Sequence, residues 1–450
     1  MNKLTRIAFI YIVIIIFLLS LLSVFLFGVK VGHFRESPVF DKVYSLYNYV
    51  TKFRNNIHKT FNKKKIQIIR EKKSELIEEK KIINSNSVMN LDNSSIFYSG
   101  AVPKDIIIAA SVSLLEGDIL NHYLLFLRNK KIIHSVLLDE NKKFKTQDNL
   151  YKLPHGLIIS KKHQIYYNFD GGNSLVKKSI CGDRIWDIKG KYHHLMSINE
   201  DINYLWTLKK INSGNSSFTE IFTKIDAGNG EILDSFNVDD LIKANVPNDY
   251  FTIKQRDLSS IWEYEPFHFN DVDVLNKKLS GYFSEFSEGD LMISSRSLNL
   301  VFIVNPISLK IKDLFFGKTR RQHDPDWNRG YITIYDNQTE WGIDKLGSEL
   351  RYSDSRIIKI DYNNKKKIST LKFDDKFISD ARGNYDMSHL KDNDKLHLIV
   401  SPYEGNLSLY KNNKKVFKLI NENALGRLSI SNAKILTDDN LIEKINLCKK

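Results

Sequence analysis

From about residue 90 to the C-terminus, apolar and polar residues alternate in short runs broken by Asn, Asp and Gly. That is the period of half-buried strands and not of helices. One unit recurs: an apolar strand, a polar turn, then a second strand carrying charge. It occurs at LLFLRNKKIIHSVLL from Leu124, IYYNFDGGNSLVKKSI from Ile165, IFTKIDAGNGEILDSF from Ile221, LVFIVNPISLKIKDLF from Leu300, IIKIDYNNKKKISTL from Ile357 and LSLYKNNKKVFKL from Leu407. The starts are about 57 residues apart, long for a WD-type blade and suited to a propeller blade with extended loops. The pattern predicts an all-β fold, a six-bladed β-propeller over residues 91–447, with each hairpin forming the outer two strands of a blade.

Ahead of the repeats the texture changes. Ile7 to Val29 is a nearly unbroken apolar run of 23 residues. As a helix it would be about 35 Å long, enough to cross a bilayer. It lacks the shorter core and small-residue cleavage site of a secretory signal, so residues 1–29 read as a transmembrane signal-anchor. Lys3 and Arg6 precede the run and Lys30 and Arg35 follow it, so flanking charge does not set its orientation. Residues 30–90 read as a basic helical stalk, preceding the propeller. Between Lys30 and Lys81, fourteen Lys or Arg stand against six Asp or Glu, which is +8 of the formal +14 of the chain. Val43, Leu46, Val50, Phe53 and Ile57 form a helical seam fit for a coiled coil, and hence for a homo-oligomer, or for packing on the body. A basic helix beside a membrane span meets anionic lipid or glycan, and a body without basic excess gives nucleic acid no footing. Cys181 and Cys448 are the only cysteines, too few for a thiolate metal site or a disulfide scaffold. A bridge between positions so far apart is not expected.

Strand order then bears on chemistry. In an up-and-down blade, the start of the innermost strand and the turn between the second and third strands lie on one face. His268-Phe269-Asn270 opens the inner strand FHFNDVDVL, and Arg296 ends the second strand, LMISSR. His323 opens the next inner strand, and Asp336-Asn337 ends its partner after the turn Asn328-Arg329-Gly330. His193-His194 opens the third repeat, where alternation along a strand admits only one of the two to the axis. His155, in LPHGLIIS, opens the second repeat but lies closer to its hairpin.

QHD followed by a turn and YDN, HFND followed by SSR, and an HH pair ahead of YLWTL together resemble the bacterial arylsulfate sulfotransferases, over roughly Leu153 to Leu419. The resemblance implies a six-bladed propeller with its active site at the central channel. It implies sulfuryl transfer from an aryl sulfate donor to a phenol through a sulfohistidine, with no nucleotide donor and no cofactor. His323 is then the nucleophile, His268, Asn270 and Arg296 are the sulfate-binding groups, and one of His193 and His194 is a further active-site histidine. Asp336 and Asn337 join them as groups on the substrate side. The Cys pair common near the site in this family is absent. With the anchor, this chemistry is expected on the non-cytoplasmic side of a bacterial inner membrane, in the periplasm, with a surface glycan or lipid-linked acceptor besides a phenol.

Sulfuryl transfer is an in-line displacement that spreads charge over equatorial oxygens, so catalysis is largely positioning and electrostatics. Arg296 offers a planar fork of donors, Asn270 a neutral donor, and neutral imidazole a nucleophile near pH 7, while a second histidine can take the acceptor's proton. Arg320-Arg321 and Asp324 flank His323, and Asp324 is expected to orient its ring. Two other readings use the same residues. His194, His268 and His323 could hold a divalent metal for hydrolysis or lyase chemistry, or the propeller could bind glycan or protein without turnover. No HExxH supports the metal. The absence of GxxxxGK and of Cys-x-Pro-x-Arg speaks against a nucleotide-dependent sulfotransferase and a formylglycine sulfatase.

Overall fold

The computed structural model of the protein describes residues 94–448 apart from short stretches, the longest being 144–152, 249–266 and 342–348. The expected membrane span and stalk lie outside the described residues. Among the described residues no helix is long and apolar enough to cross a membrane.

The described strands build a six-bladed β-propeller, each blade an antiparallel sheet. From axis to rim, blade 2 runs Pro154–Ile159, Gln164–Phe169, Ser174–Ser179 and Arg184–Lys189. Blade 3 runs Lys191–Asn199, Tyr204–Gly214, Ser217–Asp226 and Ile232–Asn237. Blade 4 runs Phe269–Val274, Leu291–Ser295, Leu300–Val304 and Ile311–Phe316. Blade 5 runs His323–Trp327, Tyr331–Asp336, Arg356–Asp361 and Lys367–Thr370, with a small hairpin inserted midway. Blades 1 and 6 take the two ends of the body. The late strand Ile430–Leu436 is the innermost of blade 1, ahead of Ile107–Glu116, Ile119–Arg128 and Lys131–Lys143. The early strand Ser94–Gly100 is added outside Lys414–Asn423 in blade 6, whose inner strands are Asn384–His389, Lys395–Ser401 and Asn406–Lys411.

Five of the six recurring hairpins are third and fourth strands, as expected. The one from Ile165 is instead the second and third of blade 2. The rim strand of that blade, RIWDIK, is mostly exposed and carries too little apolar alternation to stand out, so the two buried strands before it read as the pair.

Because successive side chains on a strand point to opposite faces, a strand lying between two other blades must be apolar on both faces to pack on them. LVFIV of blade 4 does this: Leu300, Phe302 and Val304 pack with Tyr204, Trp206 and Phe222 of blade 3, while Val301 and Ile303 pack with Ile332 and Ile334 of blade 5. A core of this kind lies between every pair of neighbouring blades. The axis itself carries buried charge among apolar residues such as Leu157 and Met196. A channel cavity of about 240 Å³ is bounded by all six inner strands and lined by Asp271, Asp273, Asp324, Asp326, Asp386 and Lys434.

Contrary to the sequence reading, Cys181 and Cys448 form a disulfide across 267 residues, with their Cα atoms 5.1 Å apart. Ring closure makes this pairing local in space. The helix Asn440–Leu447, which follows the closing strand, buries Leu441 and Ile445 against Leu157, Ile165 and Tyr167 of blade 2, bringing Cys448 to the turn that holds Cys181. Loop-closure entropy makes so long a bridge strongly stabilising, and Cys448→Ser is expected to lower stability by about 2–5 kcal/mol. Urea melts of wild type and variant, with and without reductant, measure this. Coincident wild-type melts in the two conditions would mean that strand exchange alone closes the ring.

Candidate active site

The inner strands do not start as regular ladders. Register slips occur at Pro154/Leu157 in blade 2, opposite Trp206/Leu208 in blade 3, at Phe269/Asp271 in blade 4 and at His323/Asp326 in blade 5. Left-handed backbone accompanies them, with φ of 61° at His194, 44° at His268 and 48° at Asp324, and a φ of 61° at Arg382 ahead of blade 6. Bulges of this kind re-aim side chains. His193 and His194 illustrate it. Strict alternation admits only one of them, but the left-handed turn at His194 brings both into one cluster with their Nδ1 atoms in contact.

The result is a group of buried imidazoles at one end of the channel. Ring centroids lie 4.5 Å apart for His155 and His194, 4.7 Å for His193 and His194, and 4.9 Å for His194 and His268. Arg296 follows the second strand of blade 4, and its backbone N–H donates to the His268 carbonyl at 3.1 Å, so both residues stand at the same end of that blade. His323 opens blade 5 with its Nδ1 2.8 Å from Asn337 Oδ1. Asn337 Nδ2 is committed to the carbonyls of Ser379 at 3.1 Å and Arg382 at 2.5 Å. The amide therefore presents its oxygen to the ring, His323 Nδ1 is the donor, and Nε2 keeps its lone pair. Burial, and after it the Arg296 guanidinium, His155 and His268, press the His323 pKa well below the ordinary histidine value against the pull of Asn337. His194 is depressed in the same direction by burial and then by His155, His193 and His268. His323 and His194 are therefore neutral at pH 7.

Other expected groups are occupied differently. Asn270 Nδ2 donates to the Gln322 carbonyl at 2.7 Å, which pins the backbone just ahead of His323. Asp336 is fully buried and accepts from Arg320 N at 2.8 Å, Gln338 Nε2 at 2.5 Å and Arg356 Nε at 2.9 Å, so it braces its own blade. Asp324 does not orient His323. The slip turns it to the channel, where it accepts from Asn384 Nδ2 at 3.1 Å and Tyr385 N at 2.5 Å.

Asp170 and Arg382 enter although sequence reasoning left them out, and with them His155, noted there only for opening a repeat. His155 Nδ1 stands 3.7 Å from Asp170 Oδ2, and Arg382 Nη2 donates to the same oxygen at 2.7 Å. FDGG and DARG read as turns, and 212 residues separate Asp170 from Arg382, so only the place of His155 at the start of a repeat hinted at this group. His155, Asp170 and His194 offer ligand atoms within 4.8 Å of one another, a different metal-capable set from His194, His268 and His323. The Arg382 cation already paired with Asp170 opposes a divalent ion there.

Comparison with solved structures finds many matches at low similarity. They include the WD40 domain of Neurospora crassa Pan2 at 10% identity, covering 73% of this chain and 87% of that one with a TM-score of 0.37. A nidogen/laminin complex matches at 7% identity, with coverages of 74% and 97% and a TM-score of 0.40. Virginiamycin B lyase from Staphylococcus aureus matches at 11% identity, with coverages of 73% and 99% and a TM-score of 0.33. No curated protein matches the chain. The family model for arylsulfotransferase (ASST) matches residues 158–418, more than half of the sequence and all of the strands that carry His193, His194, His268, Arg296 and His323, and the chain belongs to the arylsulfotransferase family.

Proposed function

We propose that the protein transfers a sulfuryl group from an aryl sulfate donor to a hydroxyl acceptor through a covalent sulfohistidine at His323. The observation that carries this reading is the Asn337 clamp, which fixes the His323 tautomer and leaves Nε2 as a neutral nucleophile beside Arg296. In the first half-reaction Nε2 attacks sulfur in line, the aryl oxygen leaves, and the Arg296 fork takes up charge on the sulfuryl oxygens. In the second the acceptor oxygen attacks sulfur as its hydroxyl proton passes to a neighbouring base, the S–N bond breaks, and its electron pair returns to Nε2. His268, His193 and His194 border the path of the acceptor, and Asn270 serves by holding the backbone before His323.

The acceptor is a phenol or a surface glycan. We place the body outside the cytoplasm: a disulfide belongs in an oxidising compartment, and Ile7 to Val29 would anchor the body to the inner membrane, with the stalk seam pairing copies. A reporter fused after the propeller that folds only in the cytoplasm would refute this placement if it became active.

Mixing purified body with a chromogenic aryl sulfate and no acceptor is expected to release a burst of phenol and leave an acid-labile adduct on the peptide bearing His323. His323→Ala abolishes the burst. Arg296→Ala slows it by the equivalent of about 3 kcal/mol, and Asn337→Ala, by freeing the ring, by about 10²-fold. Chelator leaves it unchanged, whereas the metal reading requires loss of activity. A full burst from His323→Ala ends the assignment.

A second expectation concerns pH. An ordinary histidine with a pKa of about 6.5 would lose roughly three-quarters of its neutral form between pH 8 and pH 6. With the His323 pKa held well below that value, the burst rate constant stays flat over this interval. A fourfold fall by pH 6 in stopped-flow traces would contradict the depressed pKa.

A further inference from the structure

Blade 2 opens with a histidine that the two half-reactions above leave idle. His155 is 3% exposed, second in the strand Pro154–Ile159, and sits within the same kind of register slip that follows His323 in blade 5. Its ring lies against His194. Its Nδ1 is 3.7 Å from Asp170 Oδ2, which leaves Nε2 on the opposite side of the ring. Asp170 follows the second strand of the same blade, where its backbone N–H donates to Leu153 O at 2.9 Å and closes the ladder. Arg382 arrives from blade 6, past the whole of blade 1, to hold Asp170 at 2.7 Å. The backbone carbonyl of that same Arg382 receives the Asn337 amide that fixes His323. A carboxylate–imidazole pair is thus tied to the nucleophile through one arginine.

We propose that His155, with Asp170 behind it and Arg382 fixing Asp170, is the general base that takes the proton of the acceptor hydroxyl. This rests on the sulfuryl-transfer reading. As the acceptor oxygen bonds to sulfur, its proton passes to His155 Nε2. The S–N bond to His323 breaks with its pair returning to Nε2 of that ring, and the His155 imidazolium, with Nδ1–H toward the Asp170 carboxylate, later gives its proton to solvent. In reverse the same group protonates a poorly acidic leaving phenol. Charge states suit the task. Burial and then Arg382 lower the His155 pKa to about 4, so the ring is neutral and able to accept. Burial pushes Asp170 upward, but His155 and Arg382 hold it well below the usual carboxylate range, so an anion waits behind the ring to meet the imidazolium.

The assay uses the full chain, p-nitrophenyl sulfate as a donor whose leaving group needs no acid, and a series of phenols of graded acidity as acceptors. For His155→Gln and His155→Ala the acceptor-free burst of nitrophenol keeps its amplitude. Transfer to a weakly acidic phenol falls about 10²–10⁴-fold. Transfer to a phenol ionised at the assay pH falls less than tenfold, and Asp170→Asn follows the same order with smaller losses. A loss equal for all acceptors, or one that removes the burst as well, makes His155 a structural residue and overturns the proposal. A wild-type enzyme without a burst instead brings down the sulfohistidine reading, and the His155 assignment with it.

Discussion

Asn337 is held from both sides, its oxygen by the His323 ring and its nitrogen by the carbonyls of Ser379 and Arg382. The same device recurs around the channel. Asn168 of blade 2 donates to the His194 carbonyl at 3.0 Å, Asn270 of blade 4 to Gln322 O at 2.7 Å, and Asn432 of blade 1 to His155 O at 3.4 Å. Each amide crosses from one blade to the irregular backbone that starts the next. Those starts need it, because a chain that slips out of ladder register leaves buried carbonyls that sheet pairing cannot satisfy. The slips aim the histidines, and the asparagines make the slips affordable. Loss of one clamp therefore acts on a site residue in the neighbouring blade and not only on the asparagine's own.

This explains where the sequence could be read and where it could not. Apolar–polar alternation and turn residues carry the six repeats plainly, because the strands within a blade pack on two neighbouring blades while the rim strands are the more exposed. Placing His268, Arg296 and His323 at one end of their blades needed only the direction of successive strands. Alternation then failed at the points that matter most. It excludes one of His193 and His194, although both are present, because a left-handed residue resets the period. Adjacency in sequence, and not alternation, pointed Asp324 at the His323 ring, and the bulge turns it to the channel. The Cys181–Cys448 bridge and the Asp170–Arg382 pair join positions that only closure of the ring brings together, and no local pattern records closure.

Electrostatics divides the channel along its length. At one end the imidazoles are joined by Arg296 and Arg382; further along the same strands come five aspartates and Lys434. Burial there raises the carboxylates, with Asp324 at about 6 and Asp271 and Asp326 well above their ordinary range, because that stretch disfavours negative charge. Several of these groups also staple blade to blade: Asp273 accepts from Trp327 N at 3.1 Å, and Asp386 from Ile435 N at 2.6 Å. An anionic group that reaches the channel from the histidine end meets cations first and acidic groups beyond.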